Sequence, residues 1–245
     1  MLPGFTVNLG AQLVQQVIAG GGGGAGVPSG AINILVAGNE STSVGASVLS
    51  KMISLSSSVG YPTVSGLNVC VTGDLAATYS ATGYDVILWW NDYSQGTNTY
   101  ATINNFLAAG KGVIFLVFGH CYNEPYASLT GGASATQIST NGGFAGYNTA
   151  GTLSGGTTPI TYQVTGVGPN QGYSNSGFTT VNSALTDGTW SGSANMMIYK
   201  NASVGTSRRV DLNFWPGSTW TSEASNTNAA RLLLNACFWA ARKTG

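Results

Sequence analysis

Uninterrupted apolar runs alternate along this chain with segments of helical period, and no other feature restricts its fold as much. INILVAG (Ile32 to Gly38), the centre of YDVILWWND (Tyr84 to Asp92) and GVIFLVFGH (Gly112 to His120) are apolar over strand length, as strands of a parallel sheet covered on both faces must be. LNVCVTGD (Leu67 to Asp74) is expected as a further strand. Between the runs, SVGASVLSKMISLSS sets Val44, Val48, Leu49, Met52, Ile53 and Leu55 at helical spacing behind candidate N-caps at Ser41 to Ser43. YATINNFLAAGK turns Ile103, Phe106 and Leu107 inward and stops at Gly110. Strands and helices in this order imply right-handed βαβ crossovers and a doubly wound, mostly parallel sheet, whose ligands bind beyond the carboxyl ends of the strands. Neighbouring strand residues point to opposite faces, so Trp89 and Trp90 part company and at least one is core beneath a helix.

From 121 to 193 the regularity is lost. The segment is rich in Gly, Ser, Thr and Asn and is expected as an irregular insertion within one α/β domain covering residues 31–245. Regular structure should resume with ANMMIYK (Ala194 to Lys200) and RRVDLNFW (Arg208 to Trp215), paired around NASVGTS. A final helix, NTNAARLLLNACFWAARK, carries Leu232, Leu233, Ala236, Phe238, Trp239 and Ala240 on a broad apolar face. Ahead of the domain, residues 1–30 form a Gly-rich arm. Phe5, Val7, Leu9, Leu13, Val14 and Val17 give it apolar area to bury, while Gly20 to Gly24 carry a large entropy cost and no packing. An arm of this kind orders on contact with its own domain or with neighbouring chains; docking onto neighbours is the expectation here.

Of 245 residues 43% are hydrophobic, enough for a core, but only 7% are charged, against roughly 25% in ordinary soluble domains. The surface must therefore be Ser, Thr, Asn, Gln and Gly. Eight acidic and eight basic residues cancel, which leaves no clustered charge to attract nucleic acid or an anionic membrane and little repulsion against self-association. The first residues contain no basic stretch, and Asn8, Gln12, Gln15 and Gln16 break their apolar pattern, so neither a secretory signal nor a membrane span is expected. Cys70, Cys121 and Cys237 lie far apart without a CxxC pair and are expected as free, mostly buried thiols.

Few residues can carry chemistry. GGGGAG and GGASATQ fit neither a Walker A loop nor a dinucleotide fingerprint, and the acidic residues do not cluster at metal-binding spacing, so no cofactor or metal is expected. Asp74, Asp92 and Glu124 fall at or beyond predicted strand ends, where they could converge as in glycoside hydrolases or cap helices and turns, their commoner use. Trp190, Trp215 and Trp220, in an uncharged surround, could form a glycan-stacking platform or anchor a protein interface.

Two stretches resemble a known family. FLAAGKGVIFLVFGHC is similar to the helix, Gly-Gly turn and buried strand of the ThuA-like branch of the class I glutamine amidotransferase-like superfamily. RRVDLNFWPG followed by NAARLLLNACFWAARK resembles its closing strand, His-Pro turn and last helix, and the likeness spans about residues 31 to 125 and 194 to 243. It implies a flavodoxin-like α/β fold. In the amidotransferases a nucleophilic Cys on a strand-to-helix elbow is served by Phe-His-Pro-Glu; here Phe214, Trp215, Pro216 and Gly217 stand at that motif, so the base is replaced by Trp215 and the acid by Gly217. The one histidine, His120, precedes Cys121 instead of following it, and Tyr122 stands where the elbow has Gly.

The expectation is therefore a scaffold without its chemistry: a non-catalytic structural protein of a bacteriophage virion, such as a capsid decoration or head-fibre-like subunit, made in the host cytoplasm. Its arm would dock onto a major capsid protein or neighbouring copies. One alternative is a ThuA-like hydrolase or sugar-processing enzyme using Cys121, His120, Asp92 and Glu124. Another is a carbohydrate-binding module that meets surface glycans through its tryptophans.

Overall fold

Strands form where consecutive apolar side chains find packing on two faces, and helices where one stripe does. The computed structural model describes residues 27–90, 96–116, 160, 164, 207–212, 214, 216 and 227–244, with strand backbone alone at 147–149, 152–153, 166–167, 171–173, 185–189 and 195–200. In chain order these give β1 (Ile32–Gly38), α1 (Thr42–Ser58), β2 (Val64–Asn68), β3 (Val86–Trp90), α2 (Thr97–Ala108) and β4 (Gly112–Leu116). Short strands follow: β5 (Tyr147–Thr149), β6 (Thr152–Leu153), β7 (Gly166–Val167) and β8 (Gln171–Tyr173). The chain closes with β9 (Leu185–Thr189), β10 (Asn195–Lys200), β11 (Arg209–Leu212) and α3 (Thr227–Ala240).

Seven strands form one sheet in the order β2-β1-β3-β4-β11-β10-β9. The pairs from β2 to β11 are parallel, and β10 and β9 add antiparallel at the far edge. This is a flavodoxin-like α/β fold: from β1 the chain crosses to β2 on one side, then to β3 on the other, which puts the reversal of winding between β1 and β3. β5 pairs with β8 and β6 with β7 in two small antiparallel sheets.

Both faces of β1, β3 and β4 are covered, which is why their sequences run largely apolar without alternation. On one face Val48, Met52 and Leu55 of α1 and Leu233 and Phe238 of α3 pack with Ile34, Val36, Leu88, Trp90 and Leu212. On the other, Ile103 and Phe106 of α2 pack with Leu35, Ile87, Trp89, Val113 and Phe115. Each core thus receives one of the adjacent tryptophans, and both are fully buried. α3 is buried from Ala229 to Ala240 except at Arg231, more than the one apolar face its sequence indicates. Ile160 and Val164 share its core, and Asn235 Nδ2 donates to the carbonyl of Ile160 at 2.9 Å, so part of the 121–193 segment covers the helix.

Several elements differ from expectation for local reasons. The run LNVCVTGD is not one strand: β2 begins earlier, with Val64 opposite Ile32, and ends at Asn68, whose side-chain oxygen accepts from the Cys70 amide. Bonds from Val69 N to Val36 O (2.8 Å) and Val71 N to Gly38 O (3.1 Å) nevertheless continue along β1. β9 lies inside the segment expected to be irregular. Its Asp187-Gly188 pair reads as a turn in sequence, yet it sits where the β9–β10 register shifts opposite Met197, as at a bulge. In α1 the buried stripe is Gly45, Val48, Met52, Leu55 and Ser56; Ile53 is 41% exposed. Leu107 of α2 is only half-buried.

The three described helices end alike. Gly60, Gly110 and Arg242 take left-handed φ values of 71°, 68° and 61°. Around each, two amides return to the last turn: Gly60 to Ser57 and Tyr61 to Ser56, Gly110 to Leu107 and Lys111 to Phe106, Arg242 to Trp239 and Lys243 to Phe238. Glycine suits that conformation, whereas an arginine there costs roughly 1–2 kcal/mol. Beside the third helix end, Ser29 N donates to Lys243 O at 2.6 Å and Pro28 bridges Thr244, which fixes the root of the N-terminal segment at the edge where the parallel strands begin.

Candidate functional site

The winding reversal between β1 and β3 is where a doubly wound sheet opens a crevice, and the described side chains there come from the turns after β1 and β2 and the end of β3. Asn39 N donates to Trp90 O at 3.0 Å, which extends the β1–β3 ladder by one residue beyond Gly38. Gly38 is required at this point because a Cβ would run into the Trp90 indole. The indole Nε1–H then donates to Glu40 Oε2 at 3.0 Å, and the side-chain oxygen of Asn39 accepts from Gly73 N at 2.6 Å. Asn39 is buried and Glu40 half-buried, so the reversal point carries a carboxylate held by an indole and an amide held by the loop after β2.

Cys70 lies under this arrangement, in contact with Val36 O at 3.8 Å. Burial, and then the nearby charge of Glu40, push its thiol up to about 12, so it stays protonated at neutral pH and is a poor nucleophile. The backbone of Gly45 packs against Cys70 and Asn68 with no room for a side chain, which brings the start of α1 close onto this loop. Cys237 in α3 is fully buried and its thiol is likewise pushed up by desolvation.

Asp74 was the one strand-end carboxylate of the sequence now described, and it caps a helix. Its oxygens accept from Asn98 N (3.0 Å), Thr99 N (2.9 Å) and Thr99 Oγ1 (2.9 Å) at the start of α2. The N-cap residue is Gly96, which has no side chain to offer, and a Cβ there would collide with the Asp74 carboxylate. Partial burial pulls the Asp74 carboxyl upward, but hydrogen bonds from Asn98, Thr99 and Leu75 outweigh it and hold the group below the usual range.

Sequence reasoning missed the ion pair on β11. Arg209 and Asp211 project from the same face of one strand and are almost wholly buried. Arg209 Nη2 lies 2.6 Å from Asp211 Oδ1, its Nε donates to Oδ2 at 2.8 Å, and the guanidinium stacks 4.4 Å from the centre of the Phe115 ring. The available signal was opposite charges two apart inside a run that otherwise reads as a buried strand.

The proposed nucleophile and base, Cys121 and His120, and the acids Asp92 and Glu124 lie outside the described residues. So do Trp190, Trp215 and Trp220 and the arm residues Phe5, Val7, Leu9, Leu13, Val14 and Val17. Of the stretch matched to Phe-His-Pro-Glu, Phe214 and Pro216 are described and buried, Phe214 in the core shared by α1 and α3. Among the described residues no three metal-ligating side chains come together, and no helix is long and apolar enough to cross a membrane.

No family model matches the chain, and no curated protein does. Solved structures do match. A ThuA-like protein from Parabacteroides merdae superimposes with a TM-score of 0.55 at 13% identity, over 89% of this chain and 91% of that one. A ThuA-like protein from Bacteroides uniformis gives 0.53 at 11% identity, over 88% and 93%. The architecture is therefore that of the ThuA-like α/β proteins, along nearly the whole length of both molecules; identities this low establish the fold alone.

Proposed function

We propose that this chain is a non-catalytic structural subunit of a large assembly, a bacteriophage virion, in which a ThuA-like scaffold is anchored through its N-terminal arm. The observation that carries the proposal is the use made of the reactive side chains among the described residues. Glu40 is held by Trp90, Asp74 caps α2, Asp85 accepts from Asn33 N, Asp211 is paired with Arg209, and Cys70 and Cys237 are buried as thiols. Each of these groups serves architecture, and a general acid or base needs the opposite, a group with a free valence toward a substrate. The low charge of the whole chain suits a protein packed among others. Deleting residues 1–26 removes the arm and leaves the strap at Pro28 and Ser29 intact. The truncated chain should fold, with unchanged circular dichroism, and fail to incorporate into particles; incorporation at normal occupancy would refute the anchoring role.

A further inference from the structure

β2 is an edge of the main sheet, and it lacks what usually closes one. Natural edges are blunted by charge, proline or a bulge, because bare amides and carbonyls recruit further strands. The opposite edge, β9, contains Asp187 and has a shifted register against β10. β2, with the sequence VSGLN, has none of these devices, and Ser65, Gly66 and Leu67 are exposed. Ile32 N donates to Thr63 O at 3.0 Å and Val69 N to Val36 O at 2.8 Å, so the odd-numbered residues turn their backbone groups toward β1. The amides and carbonyls of Val64 and Gly66 therefore point outward.

Of the described residues, the exposed large hydrophobics are Ile53 and Leu67, and both flank this edge. Gly45 of α1 packs on Asn68 and Cys70, and Leu49 lies over Gly66, so α1 runs back along β2 and Ile53, one turn on, overhangs the start of the strand. Leu67, 43% exposed, is on the opposite face, since neighbouring strand residues alternate. An added strand would find hydrogen bonds beside it and apolar surface on both of its faces. Such a strand must be uncharged and of alternating pattern. In the N-terminal arm, Phe5, Val7 and Leu9 alternate with Thr6 and Asn8, and none is charged. The length of the arm favours the edge of a neighbour over its own. Its root is strapped at Pro28 and Ser29, and β2 is the next strand to β1, a step of about 5 Å. Residues 10–26, between Leu9 and the root, span roughly 55 Å when extended, enough to cross a whole domain of about 45 Å.

We propose that residues Phe5 to Leu9 of one copy add as a strand to the β2 edge of a neighbouring copy, with Phe5, Val7 and Leu9 facing Leu49 and Ile53, and Thr6 and Asn8 beside Ser65 and Leu67. The proposal rests on the assembly role of the arm and adds its receptor. Full-length chains in a Cys121→Ser background would carry either Thr6→Cys or Ser65→Cys, be mixed in equal amounts and be treated with a short bismaleimide; Cys70 and Cys237 are buried. A heterodimer linked between positions 6 and 65, identified by mass spectrometry of its digest, is the expected product. Thr6→Cys mixed with Asn104→Cys, at an exposed position on α2, should give far less. Ile53→Lys or Leu67→Lys in the Ser65→Cys chain, both at exposed positions outside the core, should cut the yield about tenfold. Absence of the 6–65 link from the mixture would overturn the proposal. A link formed only within a chain carrying both cysteines would put the arm on its own edge, and a 65–65 link in its place would mean that edges pair directly; each refutes the exchange. If the mixture links as expected while the chain lacking residues 1–26 still enters particles at normal occupancy, the anchoring role falls and the contact between arm and β2 stands. If the truncated chain is excluded from particles and no link forms, the anchoring role stands and β2 is not its receptor.

Discussion

Replacing Asp74 decides whether a strand-end carboxylate in this fold serves structure. In Asp74→Ala, Asn98 N, Thr99 N and the buried Thr99 hydroxyl lose their acceptor together, and Gly96 has no side chain to replace it. A lost cap costs about 1 kcal/mol, the missing charge at the helix start about 0.5, and an unsatisfied buried hydroxyl about 1 more. These overlap, so a total of about 2 kcal/mol is expected, roughly a thirtyfold shift in the folding equilibrium. Asp74→Asn keeps an acceptor oxygen without the charge and should lose about half as much. The pH dependence has a fixed sign. The folded carboxyl titrates below the unfolded value of 3.8, so its contribution is complete above 3.8 and is lost as pH falls through the folded value. The gap between wild type and Asp74→Asn should therefore close in acid. Urea unfolding followed by circular dichroism at about pH 7 and about pH 2.5, on either side of the carboxylate range, measures both quantities. An Asp74→Ala effect under about 0.5 kcal/mol, the scatter of ordinary surface substitutions, or an Asp74→Asn gap that widens in acid would refute the capping role.

Breaking the buried pair on β11 with Asp211→Ala should cost about 3–5 kcal/mol, because it leaves the Arg209 charge buried. The double substitution Arg209→Met with Asp211→Leu should recover most of that loss in the same urea assay. Arg242→Gly should raise stability by about 1 kcal/mol through relief of the left-handed residue, measured by chemical denaturation; a loss of stability would show that its side chain holds the helix end. In a Cys121→Ser background, Cys70 and Cys237 should resist a thiol reagent such as dithionitrobenzoate in the native state and react on unfolding, since both are buried as thiols.

How much of this could be read from the sequence follows from where the constraint is written. β1, β3 and β4 were legible because burial on both faces makes them apolar almost throughout, and α2 because Gly110 marks its end, whereas the edge strand β2, exposed from Ser65 to Leu67, offers no such run. β9 was hidden because its Asp187-Gly188 pair carries the signature of a turn while occupying a bulged edge. Ile53 was misassigned because a helix of period 3.6 buries the stripe through Gly45, Val48 and Met52, and glycine gives a hydrophobic pattern no weight. At the crevice, the need for Gly38 and the bond between Trp90 and Glu40 depend on contacts made fifty residues apart in sequence. Of the carboxylates weighed for catalysis, Asp74 took the structural role that strand-end acids more often have, and its partners in Asn98 and Thr99 are not visible in a local pattern.

Charge is scarce in this chain, so the position of each charge is informative. Inside the described fold several charges have defined tasks: Glu40 is held by Trp90 at the winding reversal, Asp74 starts a helix, and Arg209 with Asp211 sits in a core. Arg208 and Arg242 meet at the end of the last helix, where the Arg208 side chain and the Arg242 amide share the Trp239 carbonyl and Arg242 takes a left-handed conformation that its own backbone disfavours. The root of the N-terminal segment lies beside them, at the edge of the sheet opposite the crevice between β1 and β3.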